Sequence, residues 1–293
     1  MPRSSSRAIF KRAASSRPPQ RVNLRGVTLP LFTPSEDPGP SFVGLLGQLG
    51  IDRADTHLGP STAQGLEGLA HGTTVLAVRF NDGVVMAGDR RATSGHLISH
   101  HAIEKVFPAD SRSGVAIAGA AGPAMEMVRL FQLQLEHYEK VEGNPLSLEG
   151  KANQLTLMLK SHLPAAMMGL AVVPLFAGFD EYLNRGRLFQ FDITGGRYEE
   201  LDHAATGSGS IHATTVMKLR FDEGLDTAGA LDIAIEALFQ AADEDSATGG
   251  PDMVRGIFPV MATITADGFE RVSEEDVAER TTLLLERLTG RRR

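Results

Sequence analysis

Apolar positions are dense and closely spaced from Thr73 onward and sparse before it. Thr73–Phe80 (TTVLAVRF) and Val84–Gly88 (VVMAG) are nearly unbroken β-branched and apolar runs around Asn81-Asp82-Gly83. Two such runs about an Asp-Gly turn predict a β-hairpin. Gly114–Gly119 (GVAIAG) reads as another buried strand and Lys105-Val106-Phe107 as a short one. The period then changes. Ala124, Met127, Val128, Phe131, Leu135 and Tyr138 keep one helical face, with Pro123 near its start and Gly143 beyond its end. A second helix is predicted from about Leu148 to Met168, with Pro164 expected to bend it or end it early.

Strands return at Ala171–Phe179, Gly186–Ile193 and near Tyr198. Ser210–Arg220 is a weak helical candidate. Ala228, Leu231, Ile235, Leu238 and Ala242 form a clear stripe. Val254–Thr265 and Phe269–Val272 read as late strands about Asp267-Gly268, and Ser273-Glu274-Glu275-Asp276 as a capped start of a last helix. The order is strands, paired helices, strands, paired helices, strands. It predicts an α+β fold: two packed sheets with helices outside, rather than single helices alternating with parallel strands. No repeat of solenoid period is present.

Residues 1–72 have a different texture. They hold 8 of the 15 Pro, and 1–35 carry seven Lys/Arg and no acid. The first forty or so residues are too poor in apolar groups to offset chain entropy by burial, which predicts disorder. An acid-free Arg/Ser-rich start also fits an organelle transit peptide. One patch stands out. Phe42, Leu45, Leu46 and Leu49 fall at helical spacing behind Ser41, a candidate N-cap, although Gly44 and Gly47 weaken the helix. The expected division is a leader, 1–72, followed by a domain, 73–293.

Charge sharpens that division. The chain of 293 residues has a formal net charge of −7. Residues 1–72 carry 8 basic and 5 acidic groups, net +3, and 73–293 carry 21 and 31, net −10. An acidic domain lacks the basic stripe of a nucleic-acid binder. No apolar run reaches the ~18 residues of a transmembrane helix. The absence of Cys excludes a disulfide scaffold, thiolate metal sites and a cysteine nucleophile.

Familiar catalytic motifs are missing: there is no phosphate loop, no H-E-x-x-H pair and no G-x-S-x-G elbow. Gly207-Ser208-Gly209 and Gly249-Gly250 are turn signals. His100-His101 would diverge on a strand, which argues against a metal pair, and neither metal nor cofactor is expected. What remains is the Gly72-Thr73 junction. On its face Thr73 is a strand residue after a linker glycine. If the leader is removed there, Thr73 carries both a hydroxyl and a free α-amine. That pair suffices for nucleophilic catalysis, because an amine of pKa about 7.7–8.0 can act as base. A buried cation nearby would favour the neutral amine. Lys105 is a candidate, and Asp89 could balance its charge.

Thr73-Thr74-Val75, Gly88-Asp89-Arg90-Arg91 sixteen residues on, and Lys105 thirty-two on resemble the active β subunits of the 20S proteasome. Across 73–293 the likeness is to the actinobacterial form, through GVVMAGDRRAT, LEHYEKVEG, ATGSGS and DSATGGPD. The resemblance implies the αββα sandwich of N-terminal-nucleophile hydrolases and a threonine endopeptidase that cuts its own Gly72–Thr73 bond. It implies Thr73 as nucleophile, Lys105 held by Asp89 as the cation, and the Gly119 amide as oxyanion donor. Ser208 and Asp245 would support the terminal amine. The family's serine three residues after that aspartate is replaced here by Thr248. A specificity pocket from Ala92, Ile103, Phe107, Ile117 and Ala121 implies cleavage after apolar residues, with Thr93 pairing its backbone to extended substrate.

The same resemblance implies heptameric β rings stacked on α-subunit rings in the cytoplasm. A separate ring ATPase and substrates tagged through a prokaryotic ubiquitin-like protein would complete the system. Two rivals remain: the two-ring bacterial threonine protease, disfavoured by the long leader, and a non-catalytic ring subunit, disfavoured by Thr73, Asp89 and Lys105. A mitochondrial matrix location rests only on the Arg/Ser-rich start.

Overall fold

The computed structural model describes residues 39–41, 44–45, 72–94 and 97–290. The expected disorder of the leader and most of its helix near 42–49 lie outside these residues. Within them, the Ser41 side chain accepts from the Gly44 N–H (3.2 Å) and its carbonyl from the Leu45 N–H (3.0 Å), as an N-cap would.

Ten strands form two antiparallel five-stranded sheets. The first contains β1 (Thr74–Phe80), β2 (Gly83–Gly88), β10 (His203–Gly207), β11 (Val260–Thr265) and β12 (Gly268–Arg271), in the order β10-β1-β2-β11-β12. The second contains β5 (Val106–Asp110), β6 (Ser113–Gly119), β7 (Val172–Asp180), β8 (Arg185–Phe191) and β9 (Arg197–Glu200), in sequence order. A separate hairpin is made by β3 (Ala92–Ser94) and β4 (Leu97–His100). Five helices complete the described fold: α1 (Ala121–Glu142), α2 (Leu148–Met167), α3 (Ser210–Arg220), α4 (Thr227–Glu244) and α5 (Glu274–Gly290).

Three apolar cores account for four layers. Val75, Ala77, Val84 and Met86 meet Val106, Ala116, Leu175 and Leu188 between the sheets. The alternate residues Leu76, Val78, Phe80, Val85 and Ala87 face α3, α4 and α5. On the far side, Val115, Ile117, Phe176 and Phe189 pack under α1 and α2. Both faces of the central strands are covered, so their sequences read as continuous apolar runs instead of alternating ones. This is the αββα sandwich.

Two expectations need correction. Pro164 does not cut its helix short: α2 continues to Met167. Pro164 lies in the last turn on an exposed face, where water can satisfy the Lys160 carbonyl it leaves without a donor. The last apolar run is also shorter than expected. Only Val260–Thr265 is strand, and the preceding residues form a turn closed by an Asp252–Ile257 bridge. There the Asp252 carboxylate accepts from the Val254 and Arg255 N–H groups, a local alternative to a ladder. The last helix begins as expected, with Ser273 Oγ accepting from the Asp276 N–H at 3.1 Å.

Candidate active site

The β1–β2 register brings Asp89 beside Thr73. Val75 pairs with Gly88, so the residue after β2 returns to the start of β1, and its N–H reaches the Thr74 carbonyl (3.1 Å). On the other side, β10 ends at Gly207 opposite Thr74, and the Ser208 N–H donates to the Thr73 carbonyl at 2.8 Å. Lys105 arrives from the second sheet, immediately before β5, with its carbonyl accepting from the Ile117 N–H (2.9 Å).

These four elements converge on a buried ion pair. Lys105 Nζ lies 2.6 Å from Asp89 Oδ1 and 2.6 Å from the Arg91 carbonyl. Asp89 is wholly buried and the Lys105 side chain only 6% exposed. Asp89 also accepts from the backbone N–H groups of Thr74, Arg91 and Gly249, each at 2.8 Å. The Thr73 hydroxyl donates to Asp89 Oδ1 over a long 3.4 Å. Burial lowers the Lys105 pKa from its ordinary value, only partly opposed by the Asp89 charge.

A second network lies behind Thr73. Asp245, just after α4, accepts from Ser208 Oγ (2.5 Å), Thr248 Oγ1 (2.6 Å) and the Ala247 N–H (3.1 Å). Burial raises its pKa, but these donors outweigh it and the net shift is downward. Thr248 Oγ1 is 2.6 Å from Thr74 Oγ1, which accepts from the Gly209 N–H at 3.0 Å. The donors therefore run one way, from Gly209 to Thr74 to Thr248 to Asp245. The Thr248 hydroxyl thus closes a continuous chain.

A recess opens beside Thr73, lined by Gly72, Ala92, Ile103, Lys105, Ile117, Gly119 and Ala121, with Arg91, Glu104, Ala118, Ala124 and Met125 completing it. Four of the five expected pocket residues are here. Phe107 is not among them: it is half-buried against the core under α1 and α2. Gly119 adopts φ +105°, and a Cβ there would lie 2.1 Å from the Ala171 carbonyl oxygen, so the position requires glycine. Thr93 Oγ1 accepts from the Gly72 N–H at 3.1 Å. Sequence reasoning missed Thr74, Arg91, Gly209 and Gly249. Three of these act through backbone groups that every residue type except proline carries.

Among the described residues, no group of three His, Asp or Glu is placed to hold a metal ion. His100 ends β4 and His101 follows it. No helix among the described residues is long and apolar enough to cross a membrane.

The family pattern described as "Proteasome subunit" matches residues 69–255, from just before Thr73 to beyond Asp245. The chain belongs to the proteasome subunit family. It is 56% identical over 255 residues to a proteasome subunit beta of Acidimicrobium ferrooxidans, spanning 86% of this chain and 92% of that one. It is 55% identical over 224 residues to a proteasome subunit beta of Streptomyces griseus, 76% and 80% of the two chains. A third, from Jonesia denitrificans, is 56% identical over 208 residues, 71% and 69%. Within the proteasome family, the similarity is therefore to β subunits.

Proposed function

We propose that this chain is a catalytic β subunit of a 20S proteasome, and that its mature form is a threonine endopeptidase beginning at Thr73. The observation that carries the reading is the buried Lys105–Asp89 pair, 2.6 Å apart, directly beside the Thr73 hydroxyl. A cation is costly to bury, and one held at a strand terminus next to a hydroxyl has a use there.

In the precursor the Thr73 nitrogen is part of a peptide bond. The Thr73 hydroxyl attacks the Gly72 carbonyl, the acyl group passes from nitrogen to oxygen, and water hydrolyses the ester, releasing 1–72 and a free amine. In the mature site the Thr73 hydroxyl attacks a substrate carbonyl and its proton passes to that amine. The oxyanion accepts from the Gly119 N–H. The amine then gives its proton to the leaving nitrogen, and water, with the amine again as base, frees the acyl product. The Lys105 cation keeps the amine neutral near pH 7. Asp245, Ser208 and Thr248 hold the amine's surroundings in place.

The pocket walls Ala92, Ile103, Ile117 and Ala121 favour an apolar side chain before the cut. Thr93 would pair with the extended substrate. Membership of the family supports assembly with further β copies and with α-subunit rings. A separate ring ATPase, substrates tagged through a prokaryotic ubiquitin-like protein, and a cytoplasmic location complete the reading. The test is the intact mass of the assembled subunit, with Thr73→Ala alongside. The wild type should begin at Thr73, and the variant should keep residues 1–72 and lose peptide cleavage while rings form. Unprocessed wild-type chains in active barrels would reject the reading and favour a non-catalytic ring subunit.

A further inference from the structure

Lys105 and Asp89 belong to different sheets, so something must hold the sheets in register where they meet. Residues 101–105 lie outside the strands, with the Lys105 carbonyl bonded to the Ile117 N–H of β6. One residue before Lys105, Glu104 receives a two-pronged ion pair from Arg271, Nη1 to Oε1 at 3.0 Å and Nη2 to Oε2 at 2.8 Å. Arg271 ends β12, which reaches β2 through β11, and β2 runs directly into Asp89. The Glu104–Arg271 fork therefore spans the same gap between sheets as the catalytic pair.

A second tie acts on the same segment. Arg90, next to Asp89, accepts from the Ile103 N–H at its carbonyl (3.0 Å) and donates from Nη2 to the Ala102 carbonyl (3.3 Å). Its Nη1 meets Glu274 at 3.2 Å, three residues after Arg271. Ile103 and Glu104 both line the recess.

We infer that Glu104 and Arg271 are positioning residues for the active site, fixing Ile103 and Lys105 against Asp89 from the C-terminal end of the first sheet. The inference rests on the proposed threonine-protease reading. Both side chains are more than two-fifths exposed, so the pair adds little to stability. Its forked geometry fixes direction, which a single lysine contact would not do.

The experiment uses full-length chains assembled with their α partners. It compares Glu104→Gln, Arg271→Gln and the exchanged double variant Glu104→Arg/Arg271→Glu, with Thr73→Ala as control. A fluorogenic peptide with an apolar residue before the cut gives kcat, KM and the pH profile of kcat/KM. Each single variant should lose kcat by about tenfold, less than the ~100-fold that a 1 Å misplacement can cost. Its acid limb should move to higher pH, because a withdrawn Lys105 cation lets the terminal amine hold its proton more tightly. Rings and melting temperature should be retained, and the exchange should restore both kcat and acid limb. Unprocessed single variants rescued by the exchange would also support the inference. Wild-type kcat and acid limb in the single variants, losses that accompany lost rings, or an exchange no better than the single variants would overturn it. Cleavage surviving in Thr73→Ala would instead overturn the protease reading itself.

Discussion

The hydroxyls of Thr74 and Thr248, 174 positions apart in the chain, meet at 2.6 Å with both residues wholly buried. Their contact joins the start of β1 to the turn after α4. Through Thr248 it reaches Asp245, which also receives Ser208. Thr248 thus supplies the hydroxyl that the network needs, from a wholly buried position.

Thr248→Val should accordingly destabilise the subunit by about 1–3 kcal/mol, because the buried Thr74 O–H loses its acceptor and Asp245 loses a donor. Thr248→Ser should be close to neutral. Removing both partners in Thr74→Val/Thr248→Val should cost less than the sum of the single changes, since no buried hydroxyl is then left without its partner. Melting curves of the wild type, the two single valine variants, the serine variant and the double variant measure this, and additive losses would mean that the two hydroxyls do not interact.

The layered fold was legible because its central strands are covered on both faces, which leaves nearly unbroken β-branched and apolar runs such as TVLAVRF and GVVMAG. Two other strand regions were not. β10 reads HAATG, too small and polar to announce a strand, yet it delivers Ser208 to Thr73. The β3–β4 hairpin escaped for a different reason, since all four residues of β4 are exposed. At the site, Thr73, Asp89 and Lys105 were legible because their chemistry depends on their side chains. The Arg91 carbonyl and the Gly249 N–H were not, because almost any residue supplies those groups.

Gly72 is held in a space that admits no side chain. A Cβ there would lie 1.8 Å from the Ala247 Cβ and 3.3 Å from Ser208 Oγ. Gly72→Ala must therefore push the scissile residue away from the Thr73 hydroxyl, and self-cleavage should slow severely. Adding Ala247→Gly removes the worst clash but leaves the Ala247 Cα at 3.1 Å, so rescue should be partial. Time courses of mature mass after assembly report both effects. Processing of Gly72→Ala at the wild-type rate would show that Gly72 is not confined in this way.

Burial sets the last expectation, through the lowered pKa of Lys105. The cation should lose its proton below the ~10.4 of an ordinary lysine. Peptide cleavage should then decline with rising pH in that window, because Asp89 loses the cation that holds it beside the Thr73 hydroxyl. Stability should move the other way. Between the folded pKa of Lys105 and ~10.4 the unfolded chain binds more protons than the native one, so this group's contribution to unfolding free energy rises with pH. The strain of burying the cation is present below the folded pKa and relieved above it. Paired profiles of kcat/KM and melting temperature, with ring integrity followed by sedimentation, separate the two effects. An alkaline limb at or above ~10.4, or one that coincides with barrel dissociation, would show that Lys105 is not the group being titrated.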